Sequence, residues 1–226
     1  MSKQILILGD SGSGKSTSIK NLPVDKTFIV NVIGKDLPFK GSKTKYKPVD
    51  KKGGNMLISD DYNTINRSIE YVDQKRPEIK NIVIDDSQYL IINEFMKRHA
   101  ISGKGNAVFA LYNEIGDHFW NLIWSTKFHR DDLFIFFLHH TDYDSDQGKY
   151  KAKTIGKMLD EKVNITGMFT YVLYAKYDTE TRSHVFETNT NGQTPAKTPA
   201  EMFESLTIPN DLQIVKEAII NYDKGE

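Results

Sequence analysis

An α/β fold with a mostly parallel central sheet flanked by helices on both faces is predicted by three features of the chain. The apolar run Ile5-Leu6-Ile7-Leu8 leads straight into the glycine-rich stretch 9–17, further near-continuous apolar runs recur at 27–32, 81–84 and 133–138, and helical spacing fills the intervals between them. Strands covered on both faces read as unbroken apolar runs, and the helices between them supply the crossovers that parallel pairing needs. With 226 residues, 38% hydrophobic and 27% charged, the chain fits a single domain over 1–226 with a sizeable core and a solvated surface.

Gln4–Leu8 is the first predicted strand, followed by a short helix at Ser16–Asn21 that Pro23 stops and a second strand at Thr27–Val32. Residues 35–52 then change character, setting Lys35, Lys40, Lys43, Lys45, Lys47, Lys51 and Lys52 among glycines and prolines, which reads as a basic loop region with room for a short hairpin. Met56–Ser59 is a minor strand, and Tyr62–Gln74 is helical by the spacing of Ile65, Ile69, Tyr71 and Val72, ending before Pro77. Asn81-Ile82-Val83-Ile84 is a buried strand that delivers Asp85 and Asp86 at its C-terminal end, where open parallel sheets place their ligands.

Gln88–His99 and Val108–Thr126 are predicted helices. The aromatics of the second, Phe109, Tyr112, Phe119, Trp120 and Trp124, are assigned to the core in preference to a base-stacking platform. Asp132–Leu138 is a further buried strand, ending in His139-His140-Thr141, and it is expected between the carboxylate strand and the first strand. A hairpin-like insertion over 141–154 follows, then a helix near Lys157–Val163, strands at Met168–Tyr174 and His184–Asn189, and a terminal helix at Asp211–Asn221.

Composition excludes several classes of function. Cysteine is absent, so disulfides, thiolate metal sites and cysteine nucleophiles are ruled out. Lysine plus arginine and aspartate plus glutamate each total 30, so no global field draws the chain to nucleic acid and any such binding rests on local patches. No apolar run approaches a membrane span, and the chain opens on a strand instead of a signal-like segment, so a cytoplasmic location is expected.

The stretch Gly9-Asp10-Ser11-Gly12-Ser13-Gly14-Lys15-Ser16-Thr17 fills every position of the G-x-x-x-x-G-K-[ST] phosphate-binding pattern. Its glycines let the backbone curl so that successive N–H groups face phosphate oxygens. Lys15 is expected to reach the β/γ-phosphates of ATP and Ser16 to ligate Mg2+. Asp85 is the expected second Mg2+ ligand, direct or through water. Asp86 has two readings: it orients or deprotonates the attacking water, or it caps the helix that follows. His139 and His140 are adjacent on a strand and point to opposite faces, so at most one faces the nucleotide, and His140 is the candidate γ-phosphate sensor.

Asp142–Gly148 opens like a calcium loop but fails at position six, Gln147, and at position twelve, Lys153. Lys149, Lys151 and Lys153 alternate with Tyr150 and Ala152, which sets three ammonium groups on one face of an extended segment. That face is either a lysine-protected edge strand or a set of phosphate contacts to single-stranded DNA with Tyr150 close enough to stack.

The P-loop, the segment Asn31-Val32-Ile33-Gly34-Lys35-Asp36-Leu37-Pro38-Phe39, the Ile84-Asp85-Asp86 strand end, and the late Thr188-Asn189-Thr190-Asn191-Gly192, Lys197-Thr198-Pro199 and Met202-Phe203 together resemble phage-encoded RecA-like ATPases of the single-strand-annealing recombination group. The resemblance implies a RecA-type core and Mg–ATP bound between protomers of an oligomer, ring or filament. It also implies action on single-stranded DNA in annealing or strand pairing, with a single-strand-binding protein as a candidate partner. Such proteins carry a catalytic Glu at the end of the second strand, where this chain has Lys35 and Asp36.

Two other enzyme classes fit less well. A GTPase needs a D-x-x-G switch at the carboxylate strand, where Asp85 is instead followed by Asp86-Ser87-Gln88, and an N-K-x-D base reader, which is absent; a nucleotide kinase clamps phosphates with several arginines, whereas Arg67, Arg76, Arg98, Arg130 and Arg182 are scattered singly. A non-hydrolysing, nucleotide-gated DNA-loading module shares the same site residues and differs only in lacking turnover.

Overall fold

The structure is a computed structural model that describes residues 1–50, 53–101, 103, 105–155 and 164–225. Its centre is a nine-stranded sheet built from β1 (Lys3–Gly9), β2 (Thr27–Asn31), β3 (Met56–Ile58), β4 (Asn81–Asp85), β5 (Phe134–Asp144), β6 (Lys149–Ala152), β7 (Tyr171–Asp178), β8 (Ser183–Glu187) and β9 (Thr207–Pro209). The helices are α1 (Ser42–Lys45), α2 (Tyr62–Lys75), α3 (Gln88–Arg98), α4 (Asn106–Thr126) and α5 (Leu212–Lys224), with short 3-10 turns at Ser16–Asn21, Val24–Lys26 and Ile165–Met168.

The strand order is β3-β2-β4-β5-β1-β7-β8-β9, with β6 paired to the far half of β5. From β3 through β7 that path is parallel, while β8, β9 and β6 join antiparallel. The β5 strand lies between β4 and β1, as its place in the sequence led us to expect. Register then does the positioning. Gly9 pairs with His140 and Asn31 with Asp85, so the ends of four neighbouring strands reach the same edge of the sheet.

The apolar runs are continuous because both faces are covered. Alternate residues go to opposite sides: Leu6, Leu8, Val30, Ile82, Ile84, Ile135 and Phe137 join Ile65 and Ile69 of α2, Leu90 of α3 and Ile115 and Leu122 of α4. Their neighbours Ile5, Ile7, Ile29, Val83, Phe136 and Leu138 join Ile19 and Leu22 of the turn after the P-loop and Leu212, Val215 and Ile219 of α5. Capping follows local chemistry: Asp61 accepts from Thr64 N at the start of α2 and Asp211 from Gln213 N at the start of α5.

Several elements differ from the sequence expectation. The β5 strand does not close at His139-His140-Thr141; it runs eleven residues to Asp144 and turns directly into β6, so the hairpin at 141–154 is a continuation of a core strand. The strand expected from Met168 begins at Tyr171, because the Asn164 side chain accepts from Gly167 N and winds Ile165–Met168 into a 3-10 turn. The short α1 and β9 carry too few residues to show a period. The helix expected near Lys157–Val163 lies outside the described residues, as do Lys51 and Lys52.

The aromatic stripe of α4 also needs correction. Phe119 is buried, but Phe109, Trp120 and Trp124 are 60%, 37% and 45% exposed, because they occupy the side turned away from Leu111, Ile115 and Leu122. The two tryptophans stack on each other at 5.2 Å, with Phe128 edge-on to Trp124. No helix among the described residues is long and apolar enough to cross a membrane.

Candidate nucleotide site

The loop Gly9–Thr17 leaves β1 at the sheet edge and closes over a cavity of about 290 Å³ lined by Ser11–Thr17, Lys35, Asp36, Pro38, Asp86, His140 and His184. Glycine is required here by crowding. A Cβ on Gly9 would lie 2.5 Å from the Ala175 carbonyl oxygen. Gly14, at φ +93°, would drive one to 2.2 Å from Asn210 Nδ2. The outer side of the loop is braced by the C-terminal part of the chain, with His184 Nε2 donating to Gly12 O at 2.9 Å and Asn210 Nδ2 to Ser13 O at 3.4 Å.

Lys15 is buried and donates to Gly9 O at 2.7 Å and Asp10 O at 2.8 Å, so its ammonium is held at the root of the loop. Burial pushes it down to about 8, with Asp86 and Asp85 working against that loss. It is therefore still a cation at neutral pH. Asp10, the second residue of the loop, does not face the cavity; its carboxylate accepts from Thr141 Oγ1 at 2.6 Å and ties the loop to β5.

Ser16 Oγ donates to Asp85 Oδ1 at 2.7 Å, so the two expected metal ligands, which lie far apart in sequence, are in contact. Asp85 is fully buried and its other oxygen, Oδ2, has no hydrogen-bond partner. Burial and the neighbouring Asp86 push its carboxyl up to about 6. A buried carboxylate oxygen left without a donor is costly, and a bound cation would remove that cost. The residues present therefore fit Mg2+ with Ser16 and Asp85 as its holders.

Asp86 occupies the left-handed region at φ +61°, a conformation Asp tolerates better than most residues. The twist turns its carboxylate into the cavity and away from α3, whose N-cap is Ser87 with no side-chain capping bond. The helix-cap reading is thereby overturned. Instead Lys35 Nζ stands 2.5 Å from Asp86 Oδ2 and His140 Nε2 3.3 Å from Oδ1. Burial pushes the Asp86 carboxyl up, yet the bonds from His140 and Lys35 outweigh it and hold the group below the usual carboxylate range.

The two histidines do divide between the faces of β5. His139 is fully buried, with Nε2 donating to Lys153 O at 2.7 Å, so Nδ1 accepts from Ser87 Oγ at 2.9 Å; burial pushes it down to about 4 and it stays neutral. His140 lines the cavity.

Sequence reasoning placed Lys35 in the basic region from which DNA contacts were expected and gave it no role at the nucleotide site, and it had no role for Thr141 or His184. For Lys35 the signal was present in the tetrapeptide that precedes it. Buried Asn31 at the end of β2 accepts from Gly34 N at 2.9 Å and donates to Lys35 O at 2.7 Å, folding a tight turn, with Gly34 at φ +70°, that presents Lys35 to the cavity.

The lysine face is arranged differently from a bare cationic ridge. Register sets Asp144 opposite Lys149 and Asp142 opposite Lys151, with Lys151 Nζ 3.7 Å from Asp144 Oδ2. Tyr150 is not a free stacking surface, since it packs against Tyr143 and Tyr174; Tyr143 is the exposed ring at 52%. Lys149 and Lys153 are exposed, and Lys153 N donates to His140 O at 2.9 Å. In the basic region, Lys40, Lys43, Lys45 and Lys47 are exposed around α1, and Lys43 pairs with Asp36 at 2.7 Å.

A family model described as an AAA domain matches residues 1–200, a span that includes every residue lining the cavity. No curated protein matches the chain.

Proposed function

Because the chain belongs to the AAA domain family of P-loop ATPases, we propose that it binds ATP with Mg2+ between the P-loop and the ends of β4 and β5 and hydrolyses it to ADP and phosphate. We further assign it an action on single-stranded DNA in recombination, as an oligomer. The observation that carries the nucleotide reading is the contact of Ser16 Oγ with Asp85 Oδ1 beside an orphaned, fully buried Asp85 Oδ2, directly below the loop that holds Lys15.

In this reading the loop amides and Lys15 hold the β/γ-phosphates. Mg2+, when held by Ser16 and Asp85, neutralises phosphate charge. Asp86 orients the water that attacks the γ-phosphorus. The new P–O bond forms as the bond to the bridging β–γ oxygen breaks, and the proton of the water passes to the Asp86 carboxylate and on to phosphate. His140, hydrogen-bonded to that carboxylate, fixes its direction. Among the described residues no arginine lines the cavity, which removes the clamp that a nucleotide kinase uses.

What supports a DNA role is continuity along β5. One strand carries His140 at the cavity, Thr141 bonded to the P-loop Asp10, and the hairpin that presents Lys149, Lys151 and Lys153. Occupancy of the site can thus shift the hairpin through the same backbone. Phosphates must compete with Asp142 and Asp144 for two of these lysines, so Lys153 and the exposed lysines of the basic region carry the remainder.

A salt titration of oligo-dT binding tests this. Each phosphate contact on a single strand contributes about 0.7 to the slope of log affinity against log salt, so replacing Lys149, Lys151 and Lys153 together is expected to weaken binding and flatten the slope by up to about two units. Unchanged affinity and slope would make these lysines a charged edge only. A wild-type protein that binds no DNA with any nucleotide would overturn the recombination reading.

A further inference from the structure

We propose that Lys35 is a second phosphate-binding cation, supplied by the same chain, that leaves the Asp86 carboxylate for the terminal phosphoryl group of ATP and so makes the site distinguish triphosphate from diphosphate. The inference rests on the nucleotide reading above and adds a role for a residue outside both phosphate-binding motifs.

The geometry that carries it begins with charge. Among the described residues the cavity is lined by two lysine ammonium groups, those of Lys15 and Lys35, and by no arginine. Lys15 is fixed at the loop root by two carbonyls. Ser16 and Asp85 would hold Mg2+, which would supply positive charge to the phosphate chain, so Asp86, the residue next to Asp85, and the Lys35 and His140 groups paired with it would stand beside the terminal phosphoryl group. Lys35 is one of those groups. Its side chain is 45% exposed, so the ammonium can move, while its backbone is fixed by the Asn31 turn.

With the site empty, Asp86 is the strongest anion that Lys35 can reach, and the ion pair forms. A γ-phosphate brings more charge and more acceptor oxygens to the same wall of the cavity, and the ammonium divides between the two. ADP ends one phosphate short and leaves the Lys35–Asp86 pair intact. The pairing therefore also keeps Asp86 engaged until a triphosphate arrives.

Nucleotide affinities of a double-mutant cycle test this, because removing Lys35 alone also unmasks the Asp86 charge and would repel phosphate indirectly. Affinities for ATP and for ADP, each with Mg2+, are measured by displacement of a fluorescent nucleotide for the wild type, Lys35→Met, Asp86→Asn and the double variant, with thermal melts of each. In the Asp86→Asn background, Lys35→Met is expected to weaken ATP by about tenfold, the scale of a charge-assisted contact discounted for exposure, and to leave ADP within about twofold. Lys35→Arg, which keeps the cation, should retain the preference for ATP. If Lys35→Met has no effect once Asp86 is neutral, or weakens ATP and ADP equally, the proposal is wrong and Lys35 serves only to neutralise Asp86. If the folded wild type binds neither nucleotide, the nucleotide reading fails and takes the proposal with it; if it binds both and only the ratio is insensitive to Lys35, the nucleotide reading stands alone.

Discussion

Lys15→Ala protein is expected to fold, melt close to the wild type, and lose roughly 100-fold or more of its affinity for ATP, since charge-assisted bonds to phosphate are each worth about 1.5–3 kcal/mol. The side chain is buried against its own loop, and its two hydrogen bonds go to Gly9 O and Asp10 O, both within six residues. Alanine preserves the loop backbone and its amides, so what disappears is the cation proposed to hold the β/γ-phosphates. Equilibrium binding of a fluorescent ATP analogue alongside circular-dichroism melts measures both parts. Wild-type affinity in a folded Lys15→Ala protein would remove the lysine from the mechanism.

The second large effect separates two adjacent carboxylates. Asp85→Asn is isosteric and can still accept from Ser16, but it removes a charge that burial and Asp86 already disfavour. Stability should be unchanged or higher while Mg2+-dependent nucleotide affinity falls by about 10- to 100-fold, the direction expected where a functional site stores an unfavourable charge. Asp86→Asn should behave differently. It keeps the Ser16–Asp85 pair below the P-loop and loses the group proposed to handle water, so ATP binding is expected to persist and phosphate release to slow by about 10²- to 10³-fold. Parallel melts, Mg2+ titrations and single-turnover phosphate release distinguish them. Equal, wild-type turnover in both variants would take the end of β4 out of the chemistry.

Much of the architecture was legible because burial on both faces leaves a plain trace. β1, β2 and β4 are almost pure apolar runs, and α2 shows its period in Ile65, Ile69 and Val72, all fully buried. The P-loop and Asp85 were legible for a different reason: backbone curvature and phosphate charge restrict residue type at each position, so the sequence pattern records the geometry. The elements that were missed are those fixed by tertiary contacts. β9 is three residues whose strand character comes from pairing with β8. The outward face of α4 reads as core because Trp120 and Trp124 are as apolar as Phe119, and periodicity alone does not say how wide the covered stripe is.

Within the site, sequence separated what the fold joins. The Lys35–Asp86 pair spans fifty-one positions and arises from β2 and β4 being neighbours in register, which no local pattern encodes. His140 was reachable from strand alternation, because opposite faces of β5 must hold opposite environments, and the buried neutral His139 fills the other side. The role of Asp86 was ambiguous for the converse reason. Asp before a helix is a common cap, and only its left-handed backbone, which turns the carboxylate away from α3, decides the matter.

The most direct test of the central claim is titration of the purified wild-type chain with a fluorescent ATP analogue, with and without Mg2+. The expected result is saturable binding at one site per chain that unlabelled ATP displaces, that weakens when Mg2+ is chelated, and that Lys15→Ala abolishes. A folded protein that shows no saturable, ATP-displaceable binding in the presence of Mg2+ would contradict it.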